Sequence, residues 1–309
     1  VRDLSEIVTR MGASYRNDLL GERMLTTPNH YAYLKIAEGC DRSCSFCAIP
    51  GIRGKHISRP IEDIVDEARK LAAQGVKELL LISQDLTYYG IDIYKRQALP
   101  ELVSTLSDLK LFTWIRLHYL FPTTFPNELL GIIAERPDVC NYIDIPLQHI
   151  SDRILKSMRR GVDKAGTIEL MRKFRQALPG AAVRAAFIVG YPGETEQEFE
   201  ELKSFIRETR FDRAGVFTYS HEEDTHAFGL DDNVPEEIKQ QRAAEIMELQ
   251  QNISYELNQE KVGKTYNVLV DRKEGEFFVG RTEYDSPEVD NEVLINFVTP
   301  LKPGGFYKV

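Results

Sequence analysis

Three of the chain's four cysteines, Cys40, Cys44 and Cys47, fall in the run Gly39-Cys40-Asp41-Arg42-Ser43-Cys44-Ser45-Phe46-Cys47, while Cys140 stands alone. Disulfides among the trio would close strained loops of two or three residues, so thiolate ligation of a metal centre is the better reading. Zinc wants four protein ligands and would have to recruit Cys140 or His56 as the fourth. Three thiolates on one short loop leave one metal of a four-iron cubane without a protein ligand, and an open iron is a place for substrate. Cys140 itself reads as a small buried apolar residue.

The elements that must position such a loop show in the alternation around it. From Tyr33 to about Leu257, apolar runs alternate with helical periods. Strands are predicted at 33–37, 78–82, 112–117, 142–145, 183–189 and 215–219. Ile61, Ile64, Val65, Ala68, Leu71 and Ala72 repeat at helical spacing between Pro60 and Gly75, and 99–106, 125–134, 168–177 and 196–206 repeat more weakly. Six strand-then-helix units imply a parallel sheet with helices packed outside it; six rather than eight imply a partial (βα)6 barrel. Pro235 opens a charged helix running to about Glu260. Beyond Gly263, strand-like runs at 268–270, 277–280, 292–297 and 306–309, separated by turns rich in Gly and Pro, predict a small antiparallel β-barrel. The expected organisation is a leader or linker over 1–30, an α/β domain over 31–260 and a β-barrel domain over 261–309.

At 309 residues, with 42% hydrophobic and 28% charged positions, the chain suits about two globular domains and neither a disordered nor a fibrous class. No apolar run approaches a membrane span and residues 1–10 lack the pattern of a signal peptide, so a cytoplasmic protein without membrane contact is expected. The formal charge, 39 minus 48 or -9, would repel naked nucleic acid on average. A start at Val1 rather than Met suggests a fragment or a processed product.

The spacing Cys-x3-Cys-aromatic-x-Cys after the first predicted strand resembles the cluster loop of the radical S-adenosylmethionine (SAM) enzymes. Narrower words resemble the methylthiotransferases among them: Lys35-Ile36-Ala37-Glu38-Gly39-Cys40-Asp41-Arg42, Ser58-Arg59-Pro60-Ile61-Glu62, Gln84-Asp85, Ile143-Asp144-Ile145-Pro146-Leu147-Gln148-His149 and Phe187 to Thr195. The C-terminal barrel looks like a TRAM domain, and the likeness runs from Tyr31 to Val309. Glu38, Asp41-Arg42, Gln148-His149 and Asp285 to Asp290 are similar to the RimO-type branch, which modifies an aspartate of a small-subunit ribosomal protein.

The resemblance implies a [4Fe-4S] cluster on Cys40, Cys44 and Cys47, with SAM chelating the free iron. An electron then splits SAM to a 5′-deoxyadenosyl radical that takes hydrogen from the substrate carbon. It implies an external electron donor, a sulfur donor and a basic ribosomal protein as substrate. The family also carries an N-terminal domain whose three further cysteines hold a second [4Fe-4S] cluster; this sequence has no such trio, so the second cluster is expected only in that missing domain.

Sites on a parallel barrel gather at the C-terminal ends of its strands. There, Phe46 would pack near the adenine, or be a core aromatic. Gln84 and Asp85 would accept from the SAM ammonium, or cap a turn. Pro146 and Gln148 would face the ribose or the substrate, or be plain loop residues. Arg184, a charge inside an apolar strand, should meet a carboxylate of SAM, of substrate or of the protein. Gly190 and Gly193 would allow close approach to a ligand, and Glu194 opens a helix whose N-terminus favours an anion. The six histidines show no ligand spacing, and no catalytic residue is assigned beyond the cluster.

Between Glu274 and Glu292 stand seven acidic residues against one basic, Arg281. A tRNA-binding barrel should be basic, so tRNA is the less favoured partner and an acidic face would suit a basic ribosomal protein. The expected activity is methylthiolation of the β-carbon of a ribosomal-protein aspartate. The alternatives are the same chemistry on an adenosine of tRNA and a non-catalytic, metal-stabilised binding module.

Overall fold

Parallel strands buried on one face and polar on the other organise the larger domain. The computed structural model describes residues 25–296 and 300–309, so most of the expected leader lies outside the described residues. Strands β1 (Tyr31–Lys35), β4 (Glu78–Ile82) and β5 (Trp114–Leu117) form one parallel sheet, and β6 (Tyr142–Gln148), β7 (Ala182–Val189) and β8 (Arg213–Thr218) form a second. A seam joins them: Ile115 N donates to Asp138 O (2.7 Å), Cys140 N to Ile115 O (2.9 Å) and Leu120 N to Asp144 O (2.9 Å). Together they make the expected partial six-stranded barrel. A two-residue antiparallel pair, β2 (Ala37–Glu38) with β3 (Ile57–Ser58), closes off the cysteine loop and its short helix α1 (Ile49–Arg53).

Alternation along each strand sorts the side chains. Ala32, Leu34, Leu79, Leu81, Ile115, Ile143, Val183 and Phe187 point outward into the main core. They meet helices α2 (Ile61–Ala73), α3 (Leu99–Asp108), α4 (Glu128–Glu135), α6 (Lys164–Ala177) and α7 (Glu196–Thr209), while α5 (Asp152–Ser157) is a short helix after β6. Helix α2 shows why the sequence pattern works: Pro60 precedes it, Ile64, Val65, Ala68 and Leu71 are its buried stripe, and Gly75 follows at φ +96°. Helix α7 starts on a capping box between Thr195 and Glu198. The charged helix α8 (Glu236–Gln259) buries Ile246 and Ile253 against the same core.

The inward face is polar at the N-terminal ends of the strands, and the C-terminal domain closes it. Strands β9 (Asn267–Glu274), β10 (Phe277–Arg281), β11 (Val293–Asn296) and β12 (Phe306–Lys308) form a curled antiparallel sheet in the order β11-β10-β9-β12, with a bulge at Val279/Gly280. Its Arg281 reaches Glu78, the first residue of β4 (2.8 Å), and Asp271 (2.7 Å), while Arg116 of β5 holds the other oxygen of Glu78 (2.7 Å). Glu78, Arg116 and Arg281 are all almost fully buried.

The loop after β10 corrects part of the expected acidic docking face. Asp285 pairs with Arg213, the first residue of β8 (2.5 Å); Asp290 accepts from Tyr142 OH (2.6 Å) and lies 3.4 Å from Arg184; Glu288 accepts from Tyr31 OH (3.1 Å). Glu283 accepts from Asn141 N, and Glu274 and Glu292 flank Arg272. Asp285 and Asp290 are thus drawn inward against the strand ends beneath them, whereas Glu274, Glu276, Glu288 and Glu292 stay exposed, Glu274 and Glu292 beside Arg272 of the same sheet. Ser286 reaches furthest in, hydrogen-bonded to His118 (3.1 Å), whose other ring nitrogen faces Asp144 (3.1 Å). Residue His30 is buried and meets Asp271, so the chain just before β1 belongs to this interface.

Burial alone would push Glu78 and Asp271 up, but Arg281 and Arg116 around Glu78, and His30 and Arg281 around Asp271, hold both below the ordinary carboxylate range. Their contribution to stability is therefore present above the ordinary range and is lost as pH falls through the depressed values. Glu78→Ala strands the buried guanidinium of Arg116, leaves Arg281 with Asp271 alone, and should cost about 3–5 kcal/mol in denaturant unfolding, with the acid transition moved to higher pH. An unfolding midpoint equal to the parent's would remove Glu78 from its place as the keystone of the interface.

Candidate active site

At the opposite, C-terminal ends of the strands, the cysteine loop folds over the barrel mouth. Gly39 turns it at φ +80°, and a Cβ there would stand 2.1 Å from Lys55 O. Only glycine fits where the two arms of the loop approach so closely, with Cys40 N donating to Gly54 O (3.1 Å). Further ties fix the loop: His56 N to Asp41 Oδ1 (3.0 Å), Ser45 N to Met158 O (3.0 Å) and Ala227 N to Ser45 O (2.7 Å).

The three thiols border one cavity of about 410 Å³, lined also by Lys35, Arg42, Phe46, Ile49, Ile82, Ser83, Gln84, Tyr119, Phe121, Pro146, Gln148 and Arg160. Each sulfur has a donor beside it. Arg42 N lies 3.4 Å from Cys40 Sγ, Arg160 Nη1 lies 3.2 Å from Cys44 Sγ, and the Ile49 backbone donates to Cys47. Donors of this kind favour thiolate over thiol, which is the form a metal needs. Burial works the other way and pushes the Cys40 thiol up to about 11, and that of Cys47 upward too. Two further atoms fit a ligand: Ser83 Oγ and Gln84 Oε1 are buried, their residues line this cavity, and neither atom has a hydrogen-bond partner among the described residues.

Among the residues expected at the site, Phe46, Gln84, Pro146 and Gln148 come together with the three thiols around this cavity. Gln148 ends β6 beyond a register shift after Ile145 and adopts φ +74°, a conformation costing a non-glycine residue on the order of 1 kcal/mol. The bulge that aims it is held by Arg160 Nη2, bonded to Pro146 O (2.5 Å).

Other expected residues are not brought to the lining. Asp85 caps the turn Leu86–Tyr88 through Thr87 N (2.8 Å) and receives Arg42 Nε (2.7 Å), so its carboxylate is spent on the cavity wall. Arg184 sits deeper in the barrel between Asp144 (3.5 Å) and Asp290 (3.4 Å), so the carboxylates it meets are the protein's own. Gly190 makes its close approach to the Lys239 side chain of α8, where a Cβ would come within 2.3 Å. Glu194 is buried against Arg242 (2.8 Å) and Gly190 N (2.9 Å), and Gly193 N donates to Asn233. These residues dock α8 against the end of β7. Cys140 packs among Trp114, Tyr142, Ala182 and Leu269 at the other end of the barrel, its thiol pushed up to about 12 by burial. His56 is bonded to Ser58.

Arg160, Phe121, Tyr119 and Ser83 line the site without having been expected there. Phe121 carries the guanidiniums of Arg42 and Arg160 at 4.2 and 4.1 Å from its ring centre. The only sequence signal for Arg160 is an arginine pair before Gly161, which reads as surface charge.

Comparison with known proteins is consistent with this geometry. Residues 34–206 match the radical SAM superfamily and residues 262–309 the TRAM domain. The chain is 59% identical over 308 residues to the ribosomal protein uS12 methylthiotransferase RimO of Christiangramia forsetii, covering 99% of this chain and 68% of that protein. It is 60% identical over 308 residues to the protein of the same name from Flavobacterium psychrophilum, covering 99% and 71%. Among solved structures, the radical SAM enzyme coproporphyrinogen III oxidase (HemN) of Escherichia coli superposes with a TM-score of 0.53 at 17% identity, over 85% of this chain and 58% of that one, a likeness of fold.

Three outcomes test the loop. In the metal-free protein, iodoacetamide should alkylate Cys40 slowly at neutral pH and about tenfold faster per pH unit up to about 11, since only the thiolate reacts. The stability linked to this thiol should be intact below its ordinary range near 9 and fall as pH rises towards 11. Gly39→Ala should open the loop and expose all three thiols to alkylation, and unchanged protection in that variant would show that the close approach to Lys55 is dispensable.

Proposed function

The chain belongs to the radical SAM methylthiotransferases, and on that premise we propose that it methylthiolates the β-carbon of an aspartate in ribosomal protein uS12, the protein its relatives are named for. The observation that carries this is the single cavity bordered by all three loop thiols and by Ser83 Oγ and Gln84 Oε1, which have no hydrogen-bond partner among the described residues. Cys40, Cys44 and Cys47 would hold a [4Fe-4S] cluster, to which SAM would bind. When bound, the pair supplies one-electron cleavage of SAM and hence a carbon radical that removes hydrogen from the substrate.

The chain's own residues bind and orient. Gln84 Oε1, with Ser83 Oγ, accepts from the SAM ammonium; Gln84 is itself steadied by donating to Glu38 (3.0 Å). Phe46 packs against the adenine. Pro146 and Gln148 face the ribose or the incoming aspartate. Tyr119 and Phe121 wall the cavity and keep water from the radical. Asp85 acts through Arg42 as a positioning residue, and Arg184, Gly190, Gly193 and Glu194 hold the barrel that carries the site.

The sulfur donor and the low-potential electron donor are separate partners. The chain spans about 70% of its relatives' length, and the second cluster belongs with the part it does not span. The end of α8 at Gln259 supports a domain division near residue 260. Among the described residues no helix is long and apolar enough to cross a membrane, and the substrate's ribosomal origin favours a cytoplasmic site of action.

Anaerobic reconstitution should load one cluster, and Ala at Cys40, Cys44 or Cys47 should each abolish both loading and 5′-deoxyadenosine formation. Cys140→Ala should leave both intact. Mass measurement of uS12 and of tRNA after incubation with SAM and reductant, the missing portion supplied from a relative, decides the substrate. Methylthio groups on tRNA alone would promote the adenosine reading, and iron loading without SAM cleavage would favour a binding module.

A further inference from the structure

Six arginines of the described chain are buried, and five of them lie against a carboxylate: Arg59 with Glu67, Arg116 and Arg281 with Glu78, Arg213 with Asp285, and Arg242 with Glu194. Arg160, only 3% exposed, has none within ion-pair distance among the described residues; Asp85, which acts on it from further off, is itself paired with Arg42. Its guanidinium donates to Cys44 Sγ (3.2 Å) and to Pro146 O (2.5 Å), lies 4.1 Å over Phe121, and leaves Nε without a hydrogen-bond partner among the described residues. Burying a guanidinium costs several kcal/mol unless an anion compensates, and neither a neutral thiol nor a carbonyl does so. The anion this position calls for is the thiolate-ligated cluster.

We propose that Arg160 is the counter-ion of the cluster and raises its reduction potential through Cys44, favouring the reduced state that SAM cleavage needs. This rests on the reading that Cys40, Cys44 and Cys47 hold the cluster. In the step concerned, one electron leaves an external low-potential one-electron reductant and enters the cluster; no bond to Arg160 forms or breaks and no proton moves. The reduced cluster carries one more negative charge, so a fixed cation on a ligand sulfur stabilises it more than the oxidised form. Hydrogen bonds and charge at the sulfurs are recognised determinants of such potentials. Arginine suits the task because its fork serves Cys44 and the β6 bulge together, and it stays charged when buried. Arg160 is a positioning residue: it acts on the cluster through Cys44.

The test is an EPR-monitored redox titration of the reconstituted parent, Arg160→Met and Arg160→Lys, without SAM, each scored for cluster content. The Met variant should shift to more negative potential by at least ~59 mV, a tenfold change in the one-electron equilibrium, and Lys should shift less because it keeps the charge. With dithionite, SAM cleavage by the Met variant should fall about tenfold, and titanium(III) citrate should narrow the gap. A fully loaded Met variant at the parent's potential overturns the proposal. Where Met fails to load, Arg160→Gln takes its place: a loaded Gln variant at the parent's potential overturns the proposal, and one shifted negative by ~59 mV or more upholds it. Failure of the parent itself to load a cluster on the trio overturns instead the reading on which the proposal stands.

Discussion

One carboxylate between two guanidiniums holds the two domains of this chain together. Glu78 sits at the start of β4, fully buried, with Arg116 of its neighbouring strand on one oxygen and Arg281 of the C-terminal sheet on the other. A half-barrel of parallel strands has two open ends and an open side, and its inward face here is too polar at the N-terminal end to be filled by apolar packing. The C-terminal domain answers with a loop of complementary charge. Tyr31, Tyr142, Arg184 and Arg213 are each met by an acid from Glu288 to Asp290 or by Asp285. With that end shut, the mouth at the other end is left to the thiols, and each domain does work the other cannot.

Much of this was legible in the sequence because it follows local rules. The six parallel strands, the helices between them and the four antiparallel strands appear at or within a few residues of where alternation and helical spacing place them, since those patterns record which face is buried. The cysteine loop was legible because few arrangements of three thiols in eight residues make chemical sense. Arg184 was legible as a charge in need of a carboxylate, though not as to which one.

What escaped has a common cause. An acid on a loop looks the same whether it faces solvent or plugs a barrel, and the difference lies in partners up to 257 residues away, as for Tyr31 and Glu288. So the acidic run looked like a docking face. Likewise Asp85 and Glu194 sit where a ligand-binding carboxylate would be written, yet Arg42 and Arg242 occupy them. Arg160 escaped for the opposite reason: nothing in its neighbourhood in the chain marks it as buried, and its partners, Cys44 and Pro146, come from other turns of the barrel.

The plug also bears on how the molecule comes into being. Its pairings link residues 72 positions apart at the nearest ion pair, Arg213 with Asp285, and 257 at the farthest, Tyr31 with Glu288. Contacts so distant in sequence form late, because the entropy of closing the intervening chain must be met before they return anything. As the chain leaves the ribosome from its N-terminal side, the half-barrel therefore assembles with its floor open and Arg213 hydrated, without its counter-charge Asp285, until the last sheet arrives. The loop that seals the floor is thus the latch on a vessel built from the rim down, and a chaperone that bound the nascent barrel would find that open end available for most of synthesis.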